Sequence, residues 1–168
     1  AEDGVLTLRG SGRMNDYEEG KAPWAELAER ITALDIGCGI TSVGSYAFSG
    51  CTALNTAVVL PDGIKRIGSG AFSGCTALLS IDILPSVADI QTNSIPSGTV
   101  IRGCTGSTAE TVASLRGLTF ETIQSIADAE IQLSQTVYSF TGEACTPTVT
   151  ATTADGAEVP CTVVYSNN

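Results

Sequence analysis

Few side chains in this sequence could carry out catalysis. Its 168 residues include no histidine, which removes the commonest general base and a frequent ligand of zinc and copper. A serine nucleophile would then need a lysine as its base, and the only lysines are Lys21 and Lys65. Lys65 stands beside Arg66 in a predicted turn, an ordinary solvated position. We therefore predict no catalytic residue and no enzymatic activity.

The acidic residues do not form a recognisable site either. A glycosidase needs two carboxylates held about 5–10 Å apart in a cleft, whereas Glu26 and Glu29 are predicted to face water on a short helix. The Asn15–Glu19 loop carries Asp16, Glu18 and Glu19, but it lacks the residue order of an EF-hand calcium loop. We predict no metal site and no cofactor.

Six cysteines, at positions 38, 51, 75, 104, 145 and 161, allow fifteen full disulfide pairings, and the sequence does not choose among them. None forms a CxxC pair, which argues against a zinc site or a redox motif. A bridge between Cys145 and Cys161 is one possibility in an oxidising compartment. Cys51 and Cys75 are instead predicted to be small buried side chains stacked one above the other.

The charge excludes further classes of partner. Eight basic residues against 18 acidic ones give a formal charge of −10, which repels the phosphates of nucleic acids and the headgroups of anionic lipids. No apolar run approaches the roughly 18 residues of a membrane span. We expect no nucleic-acid partner and no direct membrane insertion, and we read the charge mainly as serving solubility.

The strongest pattern is an internal repeat. The octapeptide Ala47–Leu54 recurs unchanged as Ala71–Leu78, 24 residues later. A third, degenerate copy begins at Val87 at a spacing of 23, and Ile31–Gly37 resembles the strand of a preceding partial copy. Fixed periods of 20–30 residues are typical of solenoids, in which each unit buries its apolar face only against its neighbours.

Matched apolar positions define the predicted core of the array. They are the pairs Ile40/Ile64, Val43/Ile67, Ala47/Ala71, Phe48/Phe72 and Leu54/Leu78, followed by Val87, Ile90 and Ile95 in the third copy. Because Phe48 and Phe72 occupy one recurring slot, we predict that both are core residues rather than ligand platforms. Two short β-rich runs, Ala57–Pro61 and Ile81–Pro85, are predicted strands that a proline closes.

Both ends of the array carry predicted caps. In the N-terminal cap, residues 1–30, Val5–Leu8 reads as a strand and Pro23–Arg30 as a helix. In the C-terminal cap, residues 101–123, Ser107 and Glu110 have capping-box spacing and open a helix that runs through Arg116. Gly117 ends this helix, and the chain then returns as a strand within 118–123.

The composition changes after Ile126, where apolar and polar residues alternate and a turn is expected at residues 154–156. The predicted strands are Ile131–Leu133, Val137–Phe140, Thr146–Thr152 and Cys161–Tyr165. The predicted fold is therefore mostly β with short helices. It consists of a capped solenoid of period 23–24, residues 1–126, followed by a partial β-sandwich module, residues 127–168.

The pattern I-x-x-I-G-x-x-A-F-x-G-C-x-x-L, followed by a short strand ending in proline, resembles the BspA-like (treponemal-type) leucine-rich repeat. Residues 130–168 are similar to the first half of bacterial Ig-like modules. The resemblance implies a non-catalytic, secreted or bacterial cell-surface protein that binds a protein or a glycan. Two alternatives stay open: a structural spacer or display stalk, and an accessory region of a secreted carbohydrate-active enzyme.

Sequence reasoning assigns no binding residue firmly. Trp24, Tyr17 and Tyr46 are the better aromatic candidates for ligand contact, although Trp24 is expected to pack the cap onto the first coil. Repeat geometry alone suggests that exposed strand-face positions include Asn55, Thr56, Ser80 and Asp82.

Overall fold

A computed structural model describes residues 4–123, and the backbone of residues 130–133, 149–152 and 158–159. The chain divides into two compact units, Ala1–Ile123 and Gln124–Asn168. The first unit is built from ten strands, one 3-10 helix and one α-helix. The strands are β1 (Val5–Leu8), β2 (Gly12–Arg13), β3 (Ala33–Ile36), β4 (Ile40–Val43), β5 (Ala57–Val59), β6 (Arg66–Ile67), β7 (Ser80–Ile83), β8 (Asp89–Ile90), β9 (Val100–Gly103) and β10 (Phe120–Thr122).

Strands from successive coils pair in parallel and form a major sheet, a minor sheet and a separate two-stranded sheet. The major sheet has the order β5-β7-β9-β10, and the pair β1-β3 forms a separate two-stranded parallel sheet. The minor sheet has the order β2-β4-β6-β8. Neighbouring strands in each sheet come from neighbouring coils, and interstrand spacing is about 4.8 Å. This is the stacking that the 24-residue period predicts.

Alternation along the strands separates the core from the outer face. In the major sheet Val58, Ile81 and Ile101 are in register and fully buried, at 0% exposure. The matched apolar positions of the repeat line the same core, as predicted. The fully buried side chains include Val43, Phe48, Leu54, Ile64, Ile67 and Phe72. The third copy completes this core with Val87 and Ile95, whereas Ile90, which was also predicted to be a core residue, is only partly buried against it.

The N-terminal cap corrects one sequence prediction. The segment expected to be a helix over Pro23–Arg30 is a 3-10 helix over Ala25–Arg30, without a side-chain cap. Its Trp24 is held by a hydrogen bond from the indole Nε1 to the Ala47 carbonyl, at 2.7 Å. Local i→i+3 hydrogen bonds close this turn, including those from Ala25 N to Ala22 O and from Leu27 N to Trp24 O.

The C-terminal cap forms as predicted. Helix α1 (Thr108–Arg116) begins at Ser107, whose Oγ accepts a hydrogen bond from the Glu110 backbone N–H, and it ends at Gly117 in the left-handed conformation, with φ 64°. The Glu110 carboxylate accepts from the Gly106 N–H rather than from the N-cap residue itself. Ala109 and Ala113 are buried, which places this face of the helix against the core.

The second unit contains three strands whose backbone is described. They are β11 (Glu130–Leu133), β12 (Val149–Thr152) and β13 (Glu158–Val159), paired antiparallel in the order β11-β12-β13. The strand predicted at Ile131–Leu133 is present, and β12 lies within the predicted Thr146–Thr152. The predicted strands Val137–Phe140 and Cys161–Tyr165, the turn at 154–156, and Cys145 lie outside the described residues.

Candidate functional site

Four aromatic side chains, those of Tyr17, Trp24, Phe48 and Phe72, form one column along the solenoid. The Phe48 and Phe72 rings stack with centroids 5.2 Å apart, and the Trp24 ring stacks on Phe48 at 5.9 Å. Tyr17 meets Trp24 edge to face at 5.8 Å. Phe48 and Phe72 are fully buried, which confirms that they are core residues. Trp24 joins the N-terminal cap to the first coil, as expected, and it also lines a cavity together with Tyr17.

Tyr46, the third aromatic candidate, has a structural role. It lies in the left-handed region, with φ 51°, and the equivalent residues of the next two coils, Gly70 and Asn93, share this conformation, with φ 61° and 53°. A Cβ atom built on Gly70 would overlap the Tyr46 ring. Tyr46 therefore covers the next coil at a position where only glycine leaves room for the ring.

The proposed strand-face residues differ in exposure. Asn55 and Thr56 are exposed and precede β5, whereas Ser80 and Asp82 lie in β7 and are only partly exposed. Two apolar side chains near them are more exposed, and the sequence reasoning did not single them out. These are Val59 in β5, at 61%, and Leu79 just before β7, at 62%. The alternation of buried and exposed residues along a strand is the sequence signal that could have predicted the exposure of Val59. Leu79 stands just after the duplicated octapeptide, where the first copy has Asn55.

A row of charged residues continues this outer face. Val59, Asp82, Arg102 and Glu121 are in register across the four strands of the major sheet. Arg102 Nη1 lies 3.2 Å from Asp82 Oδ1, and its Nε lies 3.9 Å from Glu121 Oε2. Burial raises the pKa of the Asp82 carboxyl despite the opposing effect of Arg102. Along this row, the apolar Val59 on β5 is therefore followed by three ion-paired residues on the next three strands.

A second polar cluster ties the N-terminal cap to the minor sheet. Asp16 Oδ1 accepts hydrogen bonds from the backbone N–H and the Oγ of Ser45, at 2.7 and 2.8 Å, and lies 3.3 Å from Arg66 Nη1. Arg66 also donates to Gln91 Oε1 at 2.9 Å and lies 3.6 Å from Asp89. The hydrogen bonds from Ser45, followed by Arg66, lower the pKa of the Asp16 carboxyl.

These contacts account for two residues of the sequence analysis, namely Asp16 in the acidic loop and Arg66 beside Lys65. Asp16 is satisfied by protein donors. Lys65, predicted to be a solvated turn residue, is exposed and immediately precedes β6 rather than lying in a turn. Its neighbour Arg66 lies in β6, where the guanidinium joins Asp16 to Asp89 and Gln91. Glu26 and Glu29 are exposed, as expected. No group of three metal-ligating side chains lies together within the described residues.

Two cysteines stack within the core. Cys51 and Cys75 are 0% and 1% exposed, and the Cys75 thiol donates to the Phe48 carbonyl of the preceding coil, at 3.0 Å. Hydrogen bonding with the Cys51 sulfur and burial raise the pKa of the Cys75 thiol, so that it stays protonated. The prediction of stacked, buried side chains is confirmed. Cys38 is exposed, and Cys104 is partly exposed.

Across the described segments, every helix is too short or too polar to cross a bilayer. The family model for the BspA type leucine rich repeat region, with six copies, matches residues 27–146. No curated protein matches the chain. Among solved structures, the chain is similar to a leucine-rich repeat protein from Eubacterium ventriosum, with 21% identity and a TM-score of 0.37. That match covers 62% of this chain and 41% of the solved chain. Because the family model covers well over half of the residues, the chain belongs to the BspA-type leucine-rich repeat family.

Proposed function

We propose that this chain is a non-catalytic binding or adhesion module of a secreted or bacterial cell-surface protein, and that it recognises a protein or glycan through the outer face of the major sheet. Repeat proteins of the BspA type are commonly surface or binding proteins. A solenoid presents an extended surface rather than a deep catalytic cleft. Its parallel strands hold outward side chains in straight rows.

The observation that carries this proposal is the exposed apolar side chain of Val59 in register with a charged row, with a second exposed apolar side chain, Leu79, just before β7. Val59 and Leu79 expose 61% and 62% of their surface, and the Asp82–Arg102–Glu121 row borders Val59 in register. An apolar centre with a polar rim is the usual arrangement of a protein interface. On binding, Val59 and Leu79 would become buried against the partner, and the charged row would orient the partner on the sheet.

The remaining parts of the proposal concern the flanking segments. Residues 1–126 form the binding domain with its two caps, and residues 127–168 form the first half of a bacterial Ig-like module that acts as a stalk. The antiparallel pairing of β11, β12 and β13 supports the second assignment. In a secreted protein, the stalk would hold the solenoid away from the surface that carries it.

Binding arrays test the proposal directly. Labelled protein is applied to arrays of matrix proteins and glycans, beside the double variant Val59→Arg/Leu79→Arg and the control Leu115→Arg. Leu115 lies on α1 and is 82% exposed, so its replacement alters charge and apolar area away from β5 and β7. We expect wild type and control to bind alike and the double variant to lose at least about 2 kcal/mol of binding free energy.

Two outcomes would contradict this proposal. Equal binding by the double variant would remove the major sheet as the contact surface. Silence of the wild type across broad arrays would favour a structural spacer with no partner of its own. Thermal unfolding of each variant shows whether a lost signal reflects a lost contact or a lost fold.

A further inference from the structure

A cavity of about 250 Å³ lies in the N-terminal cap, between the Gly10–Asn15 segment and the aromatic column. Its lining includes Arg13, Met14, Asn15, Tyr17 and Trp24, together with the Gly10–Gly12 segment. Its volume is below the roughly 300–1,000 Å³ of pockets for drug-sized ligands. A single sugar ring is therefore a better match for it than an oligosaccharide.

One side of the cavity is apolar and rigid. Met14, Tyr17 and Trp24 are each partly exposed there. Trp24 is fixed by its hydrogen bond to Ala47 and by stacking on Phe48, and Tyr17 rests edge-on against it. Aromatic side chains held in this way offer a preformed surface for the C–H face of a pyranose, without the entropic cost of ordering them on binding.

The other side is polar, with bare backbone. Gly10 and Gly12 have φ of 143° and 92°, which favour glycine, and a Cβ on either residue would meet no atom within 4 Å. No side chain screens their peptide groups, but the Gly12 N–H already donates to the Gly39 carbonyl, at 2.9 Å. Asn15, exposed at the same cavity, adds an amide that can both donate and accept hydrogen bonds.

Arg13 supplies a positive charge that no described carboxylate neutralises. Three arginines form ion pairs, namely Arg9, Arg66 and Arg102, whereas Arg13 is exposed and has no ion pair among the described residues. The nearest carboxylates along these segments are already engaged. Asp35 is paired with Arg9 through two hydrogen bonds, at 3.0 and 2.6 Å, and Asp16 is held by Ser45 and Arg66.

We propose that this cavity binds one uronic acid residue at the end of an otherwise neutral glycan. A single carboxylate meets much less repulsion from the acidic chain than a phosphate backbone or an anionic lipid surface does. The sugar ring lies against Tyr17 and Met14, its carboxylate pairs with Arg13, and its hydroxyl groups bond to Asn15 and to the backbone of Gly10–Ser11. A guanidinium recognises a carboxylate through charge-assisted hydrogen bonds, which are about twice as strong as neutral ones. This site is separate from the outer face of the major sheet and does not depend on binding there.

The single tryptophan of the chain, Trp24, lines the cavity and reports on its occupancy. Intrinsic fluorescence of the full chain, and the indole N–H resonance, are followed during titration with methyl galacturonoside. The matched neutral probe is methyl galactoside, and sodium acetate tests a bare carboxylate. We expect a saturable change with the galacturonoside, with a Kd on the order of 1 mM. Binding of the galactoside and of acetate is expected to be about tenfold weaker or absent.

Two variants assign the effect. Arg13→Gln removes the charge at an exposed position, so it should keep the thermal stability of the wild type and weaken galacturonoside binding about tenfold or more. Lys65→Gln removes an equal charge from an exposed residue outside the cavity lining, and it should bind like the wild type.

Several results would overturn the inference. These are an unchanged Trp24 signal over the titration, equal responses to the galacturonoside and the galactoside, a response to acetate equal to that of the sugar acid, or undiminished binding by Arg13→Gln. Since none of them involves Val59 or Leu79, failure here is distinguishable from failure of the proposed binding face.

Discussion

At the scale of single residues, the aromatic column concentrates much of the stability of the array. Phe72 is fully buried and stacks on Phe48. We expect Phe72→Ala to lower the free energy of unfolding by about 3–5 kcal/mol, because it removes apolar burial and leaves a cavity in a closely packed core. Urea unfolding measures the change. Leu115→Ala, at an 82% exposed position, is the control and should cost less than about 0.5 kcal/mol.

The Asp16 carboxyl should make stability depend on pH in a defined direction. Its folded-state pKa is lowered by the donors of Ser45 and by Arg66, so the stabilisation is complete well above the unfolded pKa of about 3.9 and is lost as pH falls through the folded value. We expect Asp16→Asn to cost about 1 kcal/mol at pH 7, a modest figure because the side chain is 48% exposed.

Thermal melts of both proteins between pH 7 and pH 2 check this expectation. The difference between wild type and Asp16→Asn should shrink steadily below about pH 4. Glu18→Gln in the same loop is a suitable control, because Glu18 forms no side-chain hydrogen bond within the described part of the chain. A pH-independent difference would mean that Asp16 acts through packing or backbone geometry rather than through its charge.

At the scale of the element, the turn that contains Gly70 is constrained by the Tyr46 side chain of the preceding coil, which covers it. Gly70 combines a positive φ with the Tyr46 ring directly over it. We expect Gly70→Ala to cost more than the roughly 1–2 kcal/mol of placing alanine in the left-handed region, because the new methyl group also displaces the ring. Chemical denaturation gives the cost.

Two further variants separate conformational strain from the clash. Gly50 has φ 77° and no neighbour within 4 Å of a built Cβ, so Gly50→Ala should show the cost of strain alone. Adding Tyr46→Ala to Gly70→Ala should recover part of the difference between the two glycine variants. Equal losses of unfolding free energy in Gly50→Ala and Gly70→Ala would show that the Tyr46 ring moves aside at no cost.

At the scale of the whole molecule, each coil contacts mainly its neighbours, so one coil should be removable. Deleting residues 47–70 joins Tyr46 to Ala71 and restores an unbroken repeat. We expect the shortened chain to fold with the same parallel-sheet circular dichroism and a lower Tm, because one layer of core and the Arg66 cluster are lost. A chain without a cooperative melting transition would show that the two caps require the full number of coils.

The period, most of the core residues and the C-terminal helix follow from local sequence alone. An exact octapeptide repeat forces equivalent residues such as Phe48 and Phe72 into equivalent environments, and capping chemistry at Ser107 and Gly117 is local. These features depend on spacing and on residue type alone. Local signals also predict the helix in the segment Pro23–Arg30, where the structure has a shorter 3-10 helix over Ala25–Arg30.

Which polar side chains meet across coils depends on the three-dimensional packing and could not be predicted from the sequence. The Arg66 cluster joins residues from three segments, and the cavity beside Trp24 brings Arg13 to an aromatic wall; no local pattern in the sequence marks either. The exposure of Val59 and Leu79 likewise depends on how neighbouring coils cover each strand. Repetition predicts what is common to the coils. Binding surfaces arise where the coils differ, and the packing of those differences is set by long-range stacking.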